Sequence, residues 1–242
     1  MLVTIVVPCH GQAHFLREAL ESALAQTYSH IEIVVVDDAA PDGALAEAIS
    51  GEFGVRFLRT PRTVGPGPAR NTAIAATAGT YVLPLDADDI IAPDFVERAV
   101  AILVGAPELG VVYCDTQGFG PDGGCTWEPP TGWTVRDLIA GNRLPNSSLY
   151  RRACWEHAGG YPTDLFLCED WDFWVRIARA GWGFTRIPEY LYFKRHHDAN
   201  LTHQIHVRYG AYARQIRFRH RGAVGADRVV AFDTHAASSG SR

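Results

Sequence analysis

Lysine is nearly missing from this 242-residue chain: Lys194 is the only one, and arginine carries the rest of the basic charge. No functional class follows from that bias. A basic excess is missing too, since the formal net charge is −5, which argues against a general nucleic-acid binder. The five cysteines, Cys9, Cys114, Cys125, Cys154 and Cys168, are odd in number and include no Cys-x-x-Cys pair. That spacing supports neither a disulfide framework nor a zinc site, and a reducing, cytoplasmic setting is expected. No apolar run approaches the ~20 residues that span a bilayer. The N-terminus has no basic n-region and no small-residue cleavage site, so it reads as a first strand and not as a signal peptide. Internal repeats and low-complexity linkers are also lacking. One domain over residues 1–222 is expected, followed by a partly disordered tail at 223–242.

What is present is an alternation. Apolar, β-branched runs at 2–7, 31–36, 55–58, 80–85 and 110–114 read as buried strands. Between them, residues 13–26, 44–49, 68–78 and 93–104 have helical spacing, with Pro93 placed in a first turn. This order implies an α/β protein, a three-layer α/β/α sandwich around a mainly parallel, mixed sheet. Past residue 115 the pattern changes. Residues 117–131 read as a Gly- and Pro-rich excursion loop, 170–180 as an amphipathic helix, 184–187 and 190–195 as two further strands, and 203–221 as an arginine-rich helix.

In parallel sheets ligands collect beyond the carboxyl ends of strands. Pro8, Asp37-Asp38 and Asp86-Ala87-Asp88-Asp89 all fall at such ends. Carboxylates at i and i+2 can converge on one hard cation, Mn²⁺ or Mg²⁺, though an acidic turn capping the next helix has the same look. Asp38 can accept from a base N–H or ribose hydroxyl, or cap the Pro41-Asp42-Gly43 loop. The loop from Thr63 runs into a helix start with Arg70 one turn in, which suits either an anion site or plain structure. It has no Gly-Lys-Ser/Thr and is not a Gly-x-Gly-x-x-Gly turn after the first strand. Glu169-Asp170 offers a general base, with Trp171 and Trp174 as a sugar-stacking wall; helix capping is the competing reading. In Arg195-His196-His197, adjacent histidines face opposite ways, so one of them can reach a metal; His10 is a weaker candidate.

Taken together these residues resemble a family 2 glycosyltransferase of the nucleotide-diphospho-sugar transferase (GT-A) fold. The resemblance covers roughly residues 3–202. It rests on Thr4-Ile5-Val6-Val7-Pro8, Glu32 through Asp38, Gly65 with Ala69-Arg70-Asn71, and Asp86-Ala87-Asp88-Asp89. It continues through Gly159-Gly160-Tyr161, Glu169 through Arg176, and Arg195-x-His197 with Asn200-x-Thr202. It implies a nucleotide-sugar-binding half at 1–115, an acceptor and catalytic half at 116–202, and a C-terminal helix at 203–222.

By that similarity Pro8, Asp38, Arg70 and Asp86 would bind the donor. Asp88, Asp86 and His197 would hold Mn²⁺ or Mg²⁺, with His196 in reserve. Asp170 would be the catalytic base with Glu169 beside it, and Trp171, Trp174 and Arg195 would lie on the acceptor side. The implied reaction is inverting transfer from a nucleotide-diphospho-sugar, a UDP-sugar first, to a carbohydrate or lipid-linked acceptor. His10-Gly11 stands where the family carries Tyr-Asn, Ala39-Ala40 where it carries Gly-Ser, and Thr63 where Asn is common, so the donor's identity is not set. A sugar-phosphate nucleotidyltransferase would want a Gly-rich basic loop after the first strand, which His10-Gly11-Gln12-Ala13 does not supply. A non-catalytic binding module would have no use for Asp86, Asp88 and Asp170 together. The basic face of 203–221 is ordinary for a surface helix, and it also suits contact with anionic lipid.

Overall fold

The structure is a computed structural model that describes residues 1–121, 124–198, 200–223 and 225–233, apart from the side chains at 201–207 and 233. Its centre is four parallel strands, β1 (Val3–Cys9), β2 (Ile31–Asp37), β3 (Arg56–Arg59) and β4 (Tyr81–Pro84), in the order β3-β2-β1-β4. The sheet is mixed beyond them. After the two-residue β5 (Ile90–Ile91) come β6 (Leu109–Phe119), β7 (Thr126–Trp127), β8 (Leu149–Arg151), β9 (Gly183–Arg195) and β10 (Ala231–Asp233). Strand β8 lies antiparallel between β4 and β6, while β9 runs parallel to β6 and β10 parallel to β9.

Period-two alternation divides the core. Val3, Ile5 and Val7 face one layer, built by α1 (Leu16–Leu24), α2 (Gly43–Glu52) and α4 (Phe95–Gly105). Val6, Val34, Val82 and Val111 face the other. That second layer holds α3 (Pro66–Ala75), α5 (Val135–Ala140), α6 (Arg152–Ala158), α7 (Glu169–Arg179) and α8 (Leu201–Arg219). This is the expected three-layer sandwich. The chain works outward from β1 to β3 and then crosses back to β4, so the switch point lies between β1 and β4, where a ligand crevice belongs.

Several expected bounds shift. Strand β6 continues to Phe119 and pairs with β7, so residues 117–119 and 126–127 of the expected 117–131 loop are sheet. The two strands expected at 184–195 are one strand, β9, which stays paired with β6 through register shifts beside Asp115. Asp94 is the N-cap of α4, which leaves Pro93 outside the first turn. The chain after 222, expected as tail, returns as β10 on the edge of β9.

Among the described residues two non-glycine positions, Ala39 and Cys168 (φ 60°), carry left-handed strain. Ala39, just past β2, has φ 51°, a left-handed conformation that disfavours any Cβ. Ala39→Gly is expected to stabilise the fold by about 1 kcal/mol, because relief of ~1–2 kcal/mol outweighs glycine's extra chain entropy. A thermal midpoint about 2–4 °C higher would show it, and an unchanged or lower midpoint would contradict it.

Candidate active site

The carboxyl ends of β1, β2 and β4 open into a cleft of about 200 Å³, and Pro8, Asp38, Asp86, Asp88, Glu169 and Asp170 all line it. Past the end of β4, Leu85 and Ala87 are fully buried in the core, while Asp86 and Asp88 line the cleft. Asp170 reaches the same space from the start of α7.

Asp88 is held from several directions. Its Oδ2 accepts from Gln12 Nε2 at 2.9 Å and Asn200 Nδ2 at 3.2 Å, and lies 3.0 Å from His197 Nε2. His197, not His196, therefore reaches it, and does so from behind the cleft wall. Next to it, Asp89 accepts from the Tyr192 hydroxyl and from Arg195 N. Burial first, and then Asp86, raises the Asp88 carboxyl above the usual carboxylate range, against the pull of His197. Burial with the charges of Asp88 and Asp86 raises Asp89 further. Two neighbouring carboxylates, Asp88 and Asp89, are thus raised by burial and by the negative charge beside them, and a bound cation would relieve that charge.

Asp38 spends both oxygens on the 60–65 loop. Oδ1 accepts from Thr60 Oγ1 and Val64 N, both at 2.9 Å, and Oδ2 accepts from Gly65 N at 2.8 Å. Gly65 is the N-cap of α3 at φ 93°, under the Phe166 ring, where a Cβ would come within 3.0 Å. Gly67 lets α3 approach Glu169, since a Cβ there would sit 3.1 Å from Glu169 Cγ. This close approach brings Arg70 between two carboxylates from distant parts of the chain. Its Nη2 meets Asp86 Oδ1 at 2.7 Å and its Nη1 meets Glu169 Oε1 at 2.6 Å. Arg70 lines the cleft floor, where both of its Nη atoms are taken up by that bridge.

Glu169 is fully enclosed, and desolvation pushes its carboxyl up to about 7 despite the opposing Arg70 charge. Asp170 is raised as well, first by burial, with Trp171 N–H and Arg70 opposing. Because Glu169 binds its proton more tightly folded than unfolded, its contribution to stability is fully present below pH ~4.5 and is lost as pH rises through about 7. Wild type is thus expected to lose stability relative to Glu169→Gln between pH 5 and 8. Urea unfolding of both proteins at the two pH values tests this, and parallel profiles would contradict it.

The expected acceptor wall is not there. Trp171 and Trp174 have 0% exposure, because α7 is packed by α3, α5 and α6, and Trp171 donates to Leu138 O. The aromatic ring that does meet the cleft is Phe166, which is 47% exposed. Arg195 is also off the cleft wall. Its guanidinium donates to Asp88 O at 2.9 Å and pairs with Glu18, lying over the rings of Phe15 and Phe119. It braces the acidic loop instead of facing an acceptor. Sequence reasoning missed Asn142, Asn146, Gln12 and Phe166, none of which sits in a recognisable motif; Asn200 was noted only as part of the resemblance.

The residues fit a hard cation in part. The 3.0 Å between Asp88 Oδ2 and His197 Nε2 is about the separation of neighbouring ligands on an octahedral ion bound at ~2.1 Å. Among the described residues no three His, Cys, Asp or Glu side chains form a ready cluster. The remaining positions would fall to water and substrate oxygens, as is usual for Mg²⁺ with one or two carboxylates.

Comparison with known proteins agrees with this geometry. The model of Glycosyl transferase family 2 matches residues 4–162, and the chain belongs to that family. A chondroitin synthase of Pasteurella multocida is 25% identical over 210 residues, 83% of this chain and 21% of that protein. The succinoglycan biosynthesis protein ExoO of Rhizobium meliloti is 42% identical over 100 residues, 40% of this chain and 28% of that one. The chain spans less than a third of the length of these curated relatives. Among solved structures, S. aureus TarS 1-349 in complex with UDP-GlcNAc superimposes with a TM-score of 0.70 at 21% identity, covering 83% of this chain and 60% of that one. The mannosyltransferase PcManGT of Pyrobaculum calidifontis, in complex with GDP-Man and Mn²⁺, gives 0.66 at 22% identity, with 84% and 59% covered. The fold is therefore that of GT-A glycosyltransferases.

Proposed function

We propose that the cleft is the active site of an inverting, metal-dependent glycosyltransferase of the hexosyltransferase kind. The observation that carries the reading is that Asp88 and Asp170, 82 positions apart in the chain, line one cavity. The donor is a nucleotide-diphospho-sugar, a UDP-sugar before others; TarS with UDP-GlcNAc and PcManGT with GDP-Man support the class. The names of the curated relatives favour polysaccharide biosynthesis, so the acceptor is a hydroxyl on a glycan, a lipid-linked sugar or a small molecule.

Asp86, Asp88 and His197 would hold Mn²⁺ or Mg²⁺, which when bound supplies positive charge against the departing nucleoside diphosphate. Pro8 and the Asp38-braced loop shape the nucleoside end. Arg70 bridges Asp86 and Glu169 across the cleft floor. Asp170 takes the proton of the acceptor hydroxyl while that oxygen bonds to the anomeric carbon and the bond from that carbon to the diphosphate breaks. Arg217 is engaged with Ala140 and Arg219 with Asp164 and Asp172, so Arg208, Arg214 and Arg221 are what this end of the chain offers an anionic lipid surface.

A donor screen with Mn²⁺ or Mg²⁺, following nucleoside diphosphate release, tests the reaction. Turnover of one sugar nucleotide is expected. No release from any of them, with sugar nucleotide formed instead from a nucleoside triphosphate and a sugar 1-phosphate, would overturn it.

A further inference from the structure

Between α5 and β8 the chain runs without regular structure from Gly141 to Ser148, and from this stretch two asparagine side chains reach two carboxylates that line the cleft. Asn146 Nδ2 donates to Asp86 Oδ1 at 3.2 Å, the same oxygen that Arg70 holds, so Asp86 Oδ2 is left to the cleft. Asn142 Nδ2 donates to Asp170 Oδ2 at 3.3 Å. The orientation of the Asn142 amide is fixed by its other end, where Oδ1 accepts from Arg143 N at 2.9 Å and Leu144 N at 3.5 Å. Backbone N–H groups can only donate, so the oxygen must face them and the NH₂ must face Asp170.

We propose that Asn142 is a positioning residue for the transfer reaction: its amide pins Asp170 Oδ2 and leaves Oδ1 as the oxygen that receives the acceptor proton. This rests on the reading of Asp170 as the base. Other charged groups around Asp170 are Arg70 from α3, Asp86 beyond β4, Lys194 on β9 and Glu169 beside it. Arg70 is already held by two carboxylates, and no bond from it to Asp170 is formed. Among the described residues, a side-chain hydrogen bond to Asp170 comes from Asn142.

Asn142→Asp separates positioning from plain structure. It keeps the Oδ1 acceptor that anchors the Arg143-Leu144 turn, and it replaces the N–H donor with an oxygen facing a carboxylate. Loss of a hydrogen bond to a charged group corresponds to roughly a 10- to 100-fold fall in kcat. We expect that fall in both Asn142→Asp and Asn142→Ala, with the donor KM unchanged, when nucleoside diphosphate release is followed. Thermal midpoints decide the contact independently of any substrate. Asn142→Asp should lower the midpoint, and adding Asp170→Asn should restore it by reversing donor and acceptor. A purely structural role would leave Asn142→Asp close to wild type in rate, and that result would overturn the proposal. So would additive midpoints in the double variant. Wild-type turnover by Asp170→Asn alone would instead remove the base assignment itself.

Discussion

Asp170→Asn is expected to leave nucleotide binding intact and lower the transfer rate by roughly 10²–10⁴, the usual worth of general-base assistance. The substitution keeps the shape and the Asn142 neighbour but provides no group that can take a proton at neutral pH. Glu169 is a poor understudy. Its Oε1 is tied to Arg70 at 2.6 Å, and its carboxyl, pushed up to about 7, is half-protonated near neutrality. Calorimetric titration with UDP in Mn²⁺ should give matching affinities for wild type and variant, while released UDP in a complete reaction should nearly vanish. Normal turnover would assign the base elsewhere.

Arg70→Met should damage the fold more than any substitution on the cleft rim. The Arg70 side chain is 4% exposed, and its guanidinium bridges Asp86 and Glu169 and lies over the Tyr161 ring. Removing it strands two carboxylates in a desolvated floor, at a cost of about 3–5 kcal/mol, or a midpoint lower by roughly 10 °C or more. Lysine should rescue little, since one ammonium cannot span both acids as the planar fork does. The loss should be smaller at pH 5 than at pH 8, because protonated Glu169 needs no counter-charge. A drop of under about 1 kcal/mol at pH 8 would mean that the buried bridge is not what holds the floor together.

These two residues also show what one sequence can and cannot reveal. The strand ends were legible because an apolar β-run that stops in acids marks both the edge of the sheet and the place where ligands gather. That logic placed Pro8, Asp38, Asp86 and Asp88 on one cleft, and adding the helix start at Glu169-Asp170 completed it. The double bridge of Arg70 was not legible because its partners lie 16 and 99 positions away, and spacing along a chain does not encode such convergence. Trp171 and Trp174 were misjudged because an amphipathic helix was assumed to keep a free face, whereas three helices and Tyr209 enclose α7. Asn142 and Asn146 belong to a segment with no periodicity, so only coordinates could bring them to their acids.

The central claim is that one crevice joins a nucleotide diphosphate, a divalent cation and Asp88. It is tested most directly by titrating UDP into wild type and Asp88→Ala, each with Mn²⁺ and with a chelator. Heat of binding seen only for wild type with Mn²⁺ is the predicted result. Equal binding in all four titrations would contradict it.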